Sequence, residues 1–195
     1  MIRLSWCNGE SRAAMADELR KQGLMLLEEY RFTCRPHRHE FEAPDAPAGS
    51  YGIFLLRSAT GALAELNAFD DPEFNEVSAM VDRECRLRAP GVGTRELGDR
   101  AALTHFAFGT TCDPAPDGSR LSLETKPQCP ACSTFDMADQ TPLGKWITPP
   151  VPAVSHRVWR ALAPAAREQI IRAIVEAWEA REAAAIAQAR ATAHK

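Results

Sequence analysis

The sequence predicts an α+β fold in which a mostly antiparallel sheet, built from hairpins, is flanked by helices. Apolar and polar residues alternate over Tyr30–Cys34, which is typical of a strand. Two apolar segments flank a glycine-containing turn at Ala59–Gly61, which is typical of a hairpin. Apolar residues recur every three or four positions after Asp71 and after Pro164, which indicates amphipathic helices. We predict one domain over 1–195.

The N-terminal third is predicted to form a helix followed by a strand. Residues 11–22 have an amphipathic pattern, with Ser11 as a helix cap and Gly23 just past the end. The segment LMLLEEYRFTC then reads as a strand with Tyr30, Phe32 and Cys34 on one face. The composition of Ala43–Ser50 predicts a loop.

The middle of the chain is predicted to contain two hairpins separated by a helix. The first hairpin joins strands at Tyr51–Arg57 and Leu63–Phe69. A helix with Pro72 in its first turn, capped by Asp70 or Asp71, then ends before Pro90 and is followed by a glycine-rich loop. The second hairpin pairs LTHFAFGTTC with SRLSLETK across the turn DPAPDGS.

The C-terminal part is predicted to be helical over 155–193, after an extended, proline-rich stretch. Ser155 can cap the short helix HRVWRAL, and Pro164 suits the first turn of a long final helix. The apolar stripe of that helix comprises Ile170, Ile171, Ile174, Val175 and Trp178. Beyond Trp178 the chain is alanine-rich, so it could project as a helix or fray.

Composition and charge restrict the class of protein. Apolar residues make up 45% and charged residues 25% of the chain, as in ordinary globular proteins. The net charge of −3 does not favour sequence-independent binding to nucleic acid or to an anionic membrane. Because we find neither a membrane-spanning run nor a signal-peptide pattern, we expect a cytoplasmic location and reduced cysteines. A secreted disulfide framework is the alternative.

Two pairs of soft metal ligands stand out, each with two residues between its members. The first is Cys34 with His37, in YRFTCRPHRHEFE, and the second is Cys129 with Cys132, in KPQCPACST. A structural zinc ion takes four thiolate or imidazole ligands in a tetrahedron. This spacing lets a tight turn direct both side chains to one ion, so we predict one Zn²⁺ site formed by these residues.

Both segments resemble the knuckles of a zinc ribbon, over about 25 of the 195 residues. In that family an aromatic-flanked strand enters C-x-x-C, a turn leads to a second strand, and a second knuckle closes the site. We name residues 30–42 the first knuckle and residues 126–135 the second knuckle. This chain departs from the family by His37 in place of a cysteine and by more than ninety residues between the knuckles. The resemblance implies structural zinc and no particular activity.

Other cysteines and histidines offer alternatives to this ligand set. His39 could replace His37 as the fourth ligand, or lie just outside the ligand set. Cys112 is the main substitute among the thiols, because the second predicted hairpin places it near the second knuckle. The remaining residues are interpreted as core cysteines or as polar or capping histidines: Cys7, Cys85, His105 and His156.

Three catalytic chemistries are less consistent with these motifs. A redox C-P-x-C would precede a helix, whereas STFDMADQTPLG lacks a helical pattern. A zinc deaminase would need H-x-E followed by P-C-x-x-C, and neither HRHE nor PQCPAC fits. A zinc hydrolase with a bound water stays possible, with His39, Glu40 or Glu42 near the metal.

These observations favour a non-enzymatic, zinc-stabilised binding protein, such as a bacterial adaptor or immunity-type protein. Its expected partner is another protein, and the C-terminal helix is a candidate surface for a partner or for homo-oligomers. A nucleic-acid-binding zinc-ribbon protein is the alternative, because Arg31, Arg35 and Arg38 are interleaved with Tyr30 and Phe32. A zinc-dependent hydrolase is the further alternative.

Overall fold

The chain forms two compact units in the computed structural model, which describes residues 9–47, 50–88, 97–123 and 125–193. Each unit is assembled from two separate stretches of sequence. The first unit comprises Met1–Asn67 with Thr125–Val154, and the second comprises Ala68–Glu124 with Ser155–Lys195. The fold class is confirmed as α+β with antiparallel strands. The organisation as a single domain stays a prediction.

The described secondary structure follows this order along the chain: α1 Gly9–Lys21, β1 Leu27–Cys34, β2 Glu40–Asp45, β3 Ile53–Ser58, β4 Leu63–Asn67, α2 Pro72–Arg88, α3 Leu97–Gly109, β5 Leu121–Ser122, β6 Met137–Ile147, α4 Arg157–Ala161 and α5 Pro164–Ala193.

In the first unit, β1 is the central strand of a sheet with the order β2-β1-β6, and both pairings are antiparallel. The alternation in the sequence explains why β1 is central, since Leu27, Tyr30, Phe32 and Cys34 are all buried. Strand β2 extends into the predicted loop and includes Pro44. Proline is tolerated there because β2 is an edge strand, where some backbone N–H groups face solvent and pair with no neighbouring strand.

The first unit also contains the predicted hairpin of β3 and β4, paired from Ile53 with Asn67 to Arg57 with Leu63. A small hydrophobic core joins this hairpin to the rest of the unit. Its buried members are Met25, Leu27, Leu55 and Val151. This core therefore uses residues that come from both stretches of the first unit.

The second unit packs α2, α3, α4 and α5 around buried apolar side chains, which include Val77, Val81, Leu103, Ala107, Phe108, Trp159, Ile171 and Val175. The predicted start of α2 is confirmed, because the carboxylate of Asp71 accepts the N–H of Phe74 at 2.7 Å. The predicted start of α5 at Pro164 is also confirmed, and the helix continues to Ala193.

The predicted second hairpin is wrong, because its first arm lies in helix α3 instead of a strand. The string LTHFAFG alternates like a strand, but its buried residues are Leu103, Thr104, Ala107 and Phe108. The intervals between these residues are one, three and one positions, which places all four on one face of a helix. Among the described residues of the second arm, Leu121–Ser122 alone forms a strand. Cys7 and most of the glycine-rich loop, at 89–96, lie outside the described residues.

The cap of α4 also differs from the prediction. Ser155 does not accept an N–H from the helix; its hydroxyl donates to Asp113 at 2.8 Å. The same carboxylate accepts the backbone N–H groups of Arg157 and Val158, both at 3.0 Å. Asp113 thus caps the helix from a distant part of the chain, which the local sequence cannot reveal.

Candidate metal centre

The sheet of the first unit brings the two knuckles to one end. Strand β1 runs into the turn of the first knuckle at Cys34, and β6 leaves the second knuckle at Met137. These two residues are opposite each other in the antiparallel pairing of β1 with β6. Arg35 reinforces the junction, because its guanidinium binds the carboxylate of Asp136 at 3.0 Å. The pairing of β1 with β6 therefore brings the two knuckles together although they are far apart in the sequence.

The turn of the first knuckle is closed by backbone hydrogen bonds. The N–H of Cys34 donates to the carbonyl of His39 at 3.0 Å, and the carbonyl of Cys34 accepts the N–H of Arg38 at 3.0 Å. Arg38 has a φ of 57°, in the left-handed region. This conformation folds the chain back after the turn, so the side chain of Cys34 points to the interior of the knuckle.

The second knuckle repeats this backbone arrangement. Cys129 N–H donates to the carbonyl of Thr134, and its carbonyl accepts the N–H of Ser133, both at 2.8 Å. Ser133 also has a φ of 57°, and in the described part of the chain no non-glycine residue other than Arg38 shares a positive φ. The two turns therefore hold their first cysteine in the same way.

Four potential ligand atoms converge between these turns. One ligand atom each from Cys34, His39, Cys129 and Cys132 lies within 4.8 Å of the others. The Sγ atoms of Cys34 and Cys132 are 3.8 Å apart, and Nδ1 of His39 is 3.8 Å from Sγ of Cys129. A tetrahedron with Zn–S bonds of ~2.3 Å has edges of ~3.8 Å, so these separations fit one metal ion and are far longer than a disulfide bond.

The histidine in this group is His39, whereas the spacing rule favours His37. His37 is exposed and is not a member of the group. Its ring centroid lies 5.5 Å from that of His39. By position it corresponds to Cys132, three residues after the first cysteine, but imidazole is longer than a thiol. His39, at the base of the turn, directs Nδ1 inward instead.

The other cysteines of the described chain are not in this group. Cys112 follows α3, and its thiol lies 3.6 Å from the carbonyl of Phe108. Burial raises the pKa of Cys112 to about 12, and the carboxylate of Asp71 adds to the effect. Cys85 lies half-buried on α2. The substitution of Cys112 for a knuckle thiol therefore has no support in the described contacts.

The clustered thiols affect the ionisation of Cys34 and of Cys132. Burial opposes ionisation of Cys34, but the N–H groups of His37 and His39 and the neighbouring thiols lower its pKa below the ordinary value. The N–H of Thr134 lowers the pKa of Cys132, but burial and the thiols of Cys129 and Cys34 outweigh it and raise the pKa. A bound cation would favour thiolates at all three positions.

The basic residues around the first knuckle are partly neutralised. Arg31 is 3.5 Å from the carboxylate of Glu42, which also accepts from Lys145 at 3.0 Å. The interleaved aromatic residues Tyr30 and Phe32 are buried. Stacking of bases on these two rings would therefore require the sheet to open.

A second group of potential ligands, in the second unit, is already satisfied by protein contacts. It comprises Asp71, Glu73 and His156. Both carboxylate oxygens of Glu73 accept from the guanidinium of Arg160, at 2.7 and 2.8 Å. His156 is buried between the carboxylate of Asp71 and the carbonyl of Thr111, each 3.0 Å from a ring nitrogen. These bonds indicate a structural polar cluster and not a metal site.

In the described part of the chain, no helix combines the length and apolar character needed to cross a membrane. Comparison with known proteins finds no matching family model, no matching curated protein and no matching solved structure.

Proposed function

We propose that the knuckles bind one structural Zn²⁺ through the Sγ atoms of Cys34, Cys129 and Cys132 and Nδ1 of His39. The observation that carries this proposal is the tetrahedral separation of the ligand atoms, 3.8 Å both for Cys34–Cys132 and for His39–Cys129. Thiolate and imidazole are the ligands that zinc prefers in structural sites. With zinc bound in this way, the first unit would be a zinc-ribbon-like centre with a long insertion between its knuckles.

We infer that the protein is a non-enzymatic, zinc-stabilised binding protein. Four protein ligands complete the tetrahedron, so no coordination position is left for a water or substrate. Glu42, one of the residues that the sequence places near the metal, is hydrogen-bonded to Lys145, and this bond lowers its pKa. A carboxylate with a lowered pKa is a weak general base. A closed site and a weak base both argue against the zinc hydrolase.

We propose a protein as the partner. The outer face of the sheet carries charges of both signs, among them Glu29, Arg31, Glu42 and Lys145. A mixed surface suits a polar protein interface, whereas a polyanion would favour a continuous basic field. The nucleic-acid alternative predicts affinity for single strands that falls steeply with salt, and absence of binding at low salt would remove it.

The metal centre is tested by metal content and by cobalt substitution. We expect one zinc per chain in the purified protein, and replacement by Co²⁺ should give the intense visible bands of a tetrahedral thiolate site. Azide or a hydroxamate should leave these bands unchanged, because a closed site offers no position to an added ligand. A spectral change would show an open position and would favour the hydrolase.

The fourth ligand is tested by a matched pair of histidine variants. We expect His39→Ala to weaken zinc binding by about 10- to 100-fold or more, because the variant lacks one of the four ligands. His37→Ala is the control, since the side chain is exposed and outside the ligand group. Competition with a chromophoric chelator measures both affinities. The reverse order of effects would identify His37 as the ligand.

A further inference from the structure

We propose that Cys132 and Cys34 form a redox-sensitive pair, which a hydroperoxide oxidises to a disulfide with release of the metal ion. This inference rests on the proposed zinc site and adds a mode of regulation to it.

The accessibility of the three thiols differs. Cys34 and Cys129 are 0% and 1% exposed, whereas Cys132 is half-buried. A small oxidant arriving from solvent therefore meets Cys132 first. A zinc-bound thiolate stays nucleophilic, so the accessible sulfur is the position of attack.

The position of Cys34 determines the partner in the second step. Its Sγ lies 3.8 Å from that of Cys132. The two sulfur atoms must approach by ~1.8 Å to reach the disulfide bond length, a change that side-chain rotation can supply. Cys129 is the competing partner, but its Sγ contacts Nδ1 of His39 at 3.8 Å.

The reaction balances with a hydroperoxide, ROOH, as the two-electron oxidant. The thiolate of Cys132 attacks the terminal oxygen, so an S–O bond forms, the O–O bond breaks, and ROH leaves after it takes up a proton. The thiolate of Cys34 then attacks the sulfenic sulfur. The S–S bond forms, the S–O bond breaks, and hydroxide leaves as water after protonation. The two thiolates supply both electrons.

Disulfide formation would remove two of the four ligands of a bound metal ion and leave Cys129 and His39 to hold it. Two ligands hold zinc much more weakly than four. The new bond would join residues 98 positions apart in the sequence. A cross-link over such a long loop stabilises the folded chain, so the knuckles can stay together after the metal has gone.

The test treats the zinc-loaded wild-type chain with one equivalent of hydrogen peroxide. We expect release of one zinc per chain, detected with a chromophoric chelator, and a Cys34–Cys132 disulfide in non-reducing peptide maps. Dithiothreitol with added zinc should restore the starting state. In Cys132→Ser the disulfide should be absent.

Cys112→Ser is the matched control, because Cys112 is half-buried like Cys132 but lies outside the thiol cluster. This variant should release zinc as the wild type does. A Cys129–Cys132 disulfide, or oxidation of Cys132 without any disulfide, would overturn the proposal. If the starting chain contains no zinc, the structural-zinc proposal fails instead, and peptide mapping of the same sample still reports on the thiol pair.

Discussion

Asp113 shows how one buried residue joins distant parts of the chain. Its carboxylate is 5% exposed and accepts hydrogen bonds from Ser155, Arg157 and Val158. Burial alone would raise the pKa of this carboxyl, but the N–H of Val158, the hydroxyl of Ser155 and the groups of Arg157 together hold it well below its usual range. The ionised form is therefore the one that the folded chain stabilises.

This pKa difference predicts a pH-dependent contribution to stability. A carboxyl whose pKa is lowered by folding stabilises the protein above the pKa of the unfolded chain, about 4, and loses this contribution as the pH falls further. We expect Asp113→Asn to lower the free energy of unfolding at pH 7 by about 1–3 kcal/mol. The difference from wild type should shrink as the pH is lowered from 5 to 3.

Urea unfolding of both proteins at each pH measures this difference. Acid also protonates the zinc ligands, but these are common to the two proteins and cancel in the comparison. A difference that is constant with pH would mean that the charge of Asp113 does not contribute, and that only its shape and hydrogen bonds matter.

At the same scale, the metal centre shows what residue spacing can and cannot predict. Cys34, Cys129 and Cys132 come together as predicted from the two knuckle motifs, because the two-residue spacing inside each knuckle is a local feature. The pairing of β1 with β6, which joins the knuckles, is long-range and was not predicted. The histidine in the group is His39, not the favoured His37. That choice depends on the left-handed conformation of Arg38 and on the reach of the imidazole, which the sequence does not encode by spacing.

At the scale of elements, helix α3 shows how a short apolar run misleads. The apolar pattern of LTHFAF is compatible with a strand and with one face of a helix, and only the buried positions in the structure distinguish the two. Helices α2 and α5 were predictable, because each has a proline in its first turn and several turns of apolar period. The length of the apolar pattern therefore determined which helices could be predicted from the sequence.

The packing of α2 against α5 gives a prediction at this scale. Val175 of α5 is 0% exposed, whereas Val158 of α4 is 64% exposed. We expect Val175→Ala to lower the free energy of unfolding by about 2 kcal/mol, from lost burial and the remaining cavity. Val158→Ala removes the same atoms from a solvated site and should change it by less than ~0.5 kcal/mol.

Urea unfolding of the zinc-loaded chain measures both variants. Alanine favours helices more than valine does, by ~0.6 kcal/mol in a helix interior, so the loss measured for Val175→Ala is a lower bound on the contribution of packing. Equal effects at the two positions would mean that the apolar stripe of α5 contributes little to the stability of the second unit.

At the scale of the whole molecule, the two units are interleaved in sequence. The first unit takes residues from both sides of a long insertion, and its two knuckles come one from each stretch. Closing such a long loop costs conformational entropy, which local contacts of either stretch cannot offset. The pairing of β1 with β6 and the proposed metal ion both act at this closure.

Removal of the metal ion should therefore affect the two units differently. We expect a zinc chelator to increase amide hydrogen exchange in β1, β2 and β6, because the knuckles that join these strands lose their common ligand. Amides of α2 and α5 should keep their protection, since the core of Val77, Val81, Ile171 and Val175 contains no ligand residue. Exchange measured by mass spectrometry separates these peptides, and added zinc should reverse the change. Equal loss of protection in all five elements would show that the metal controls the folding of the entire chain, and unchanged exchange in the three strands would show that the sheet holds the knuckles without it.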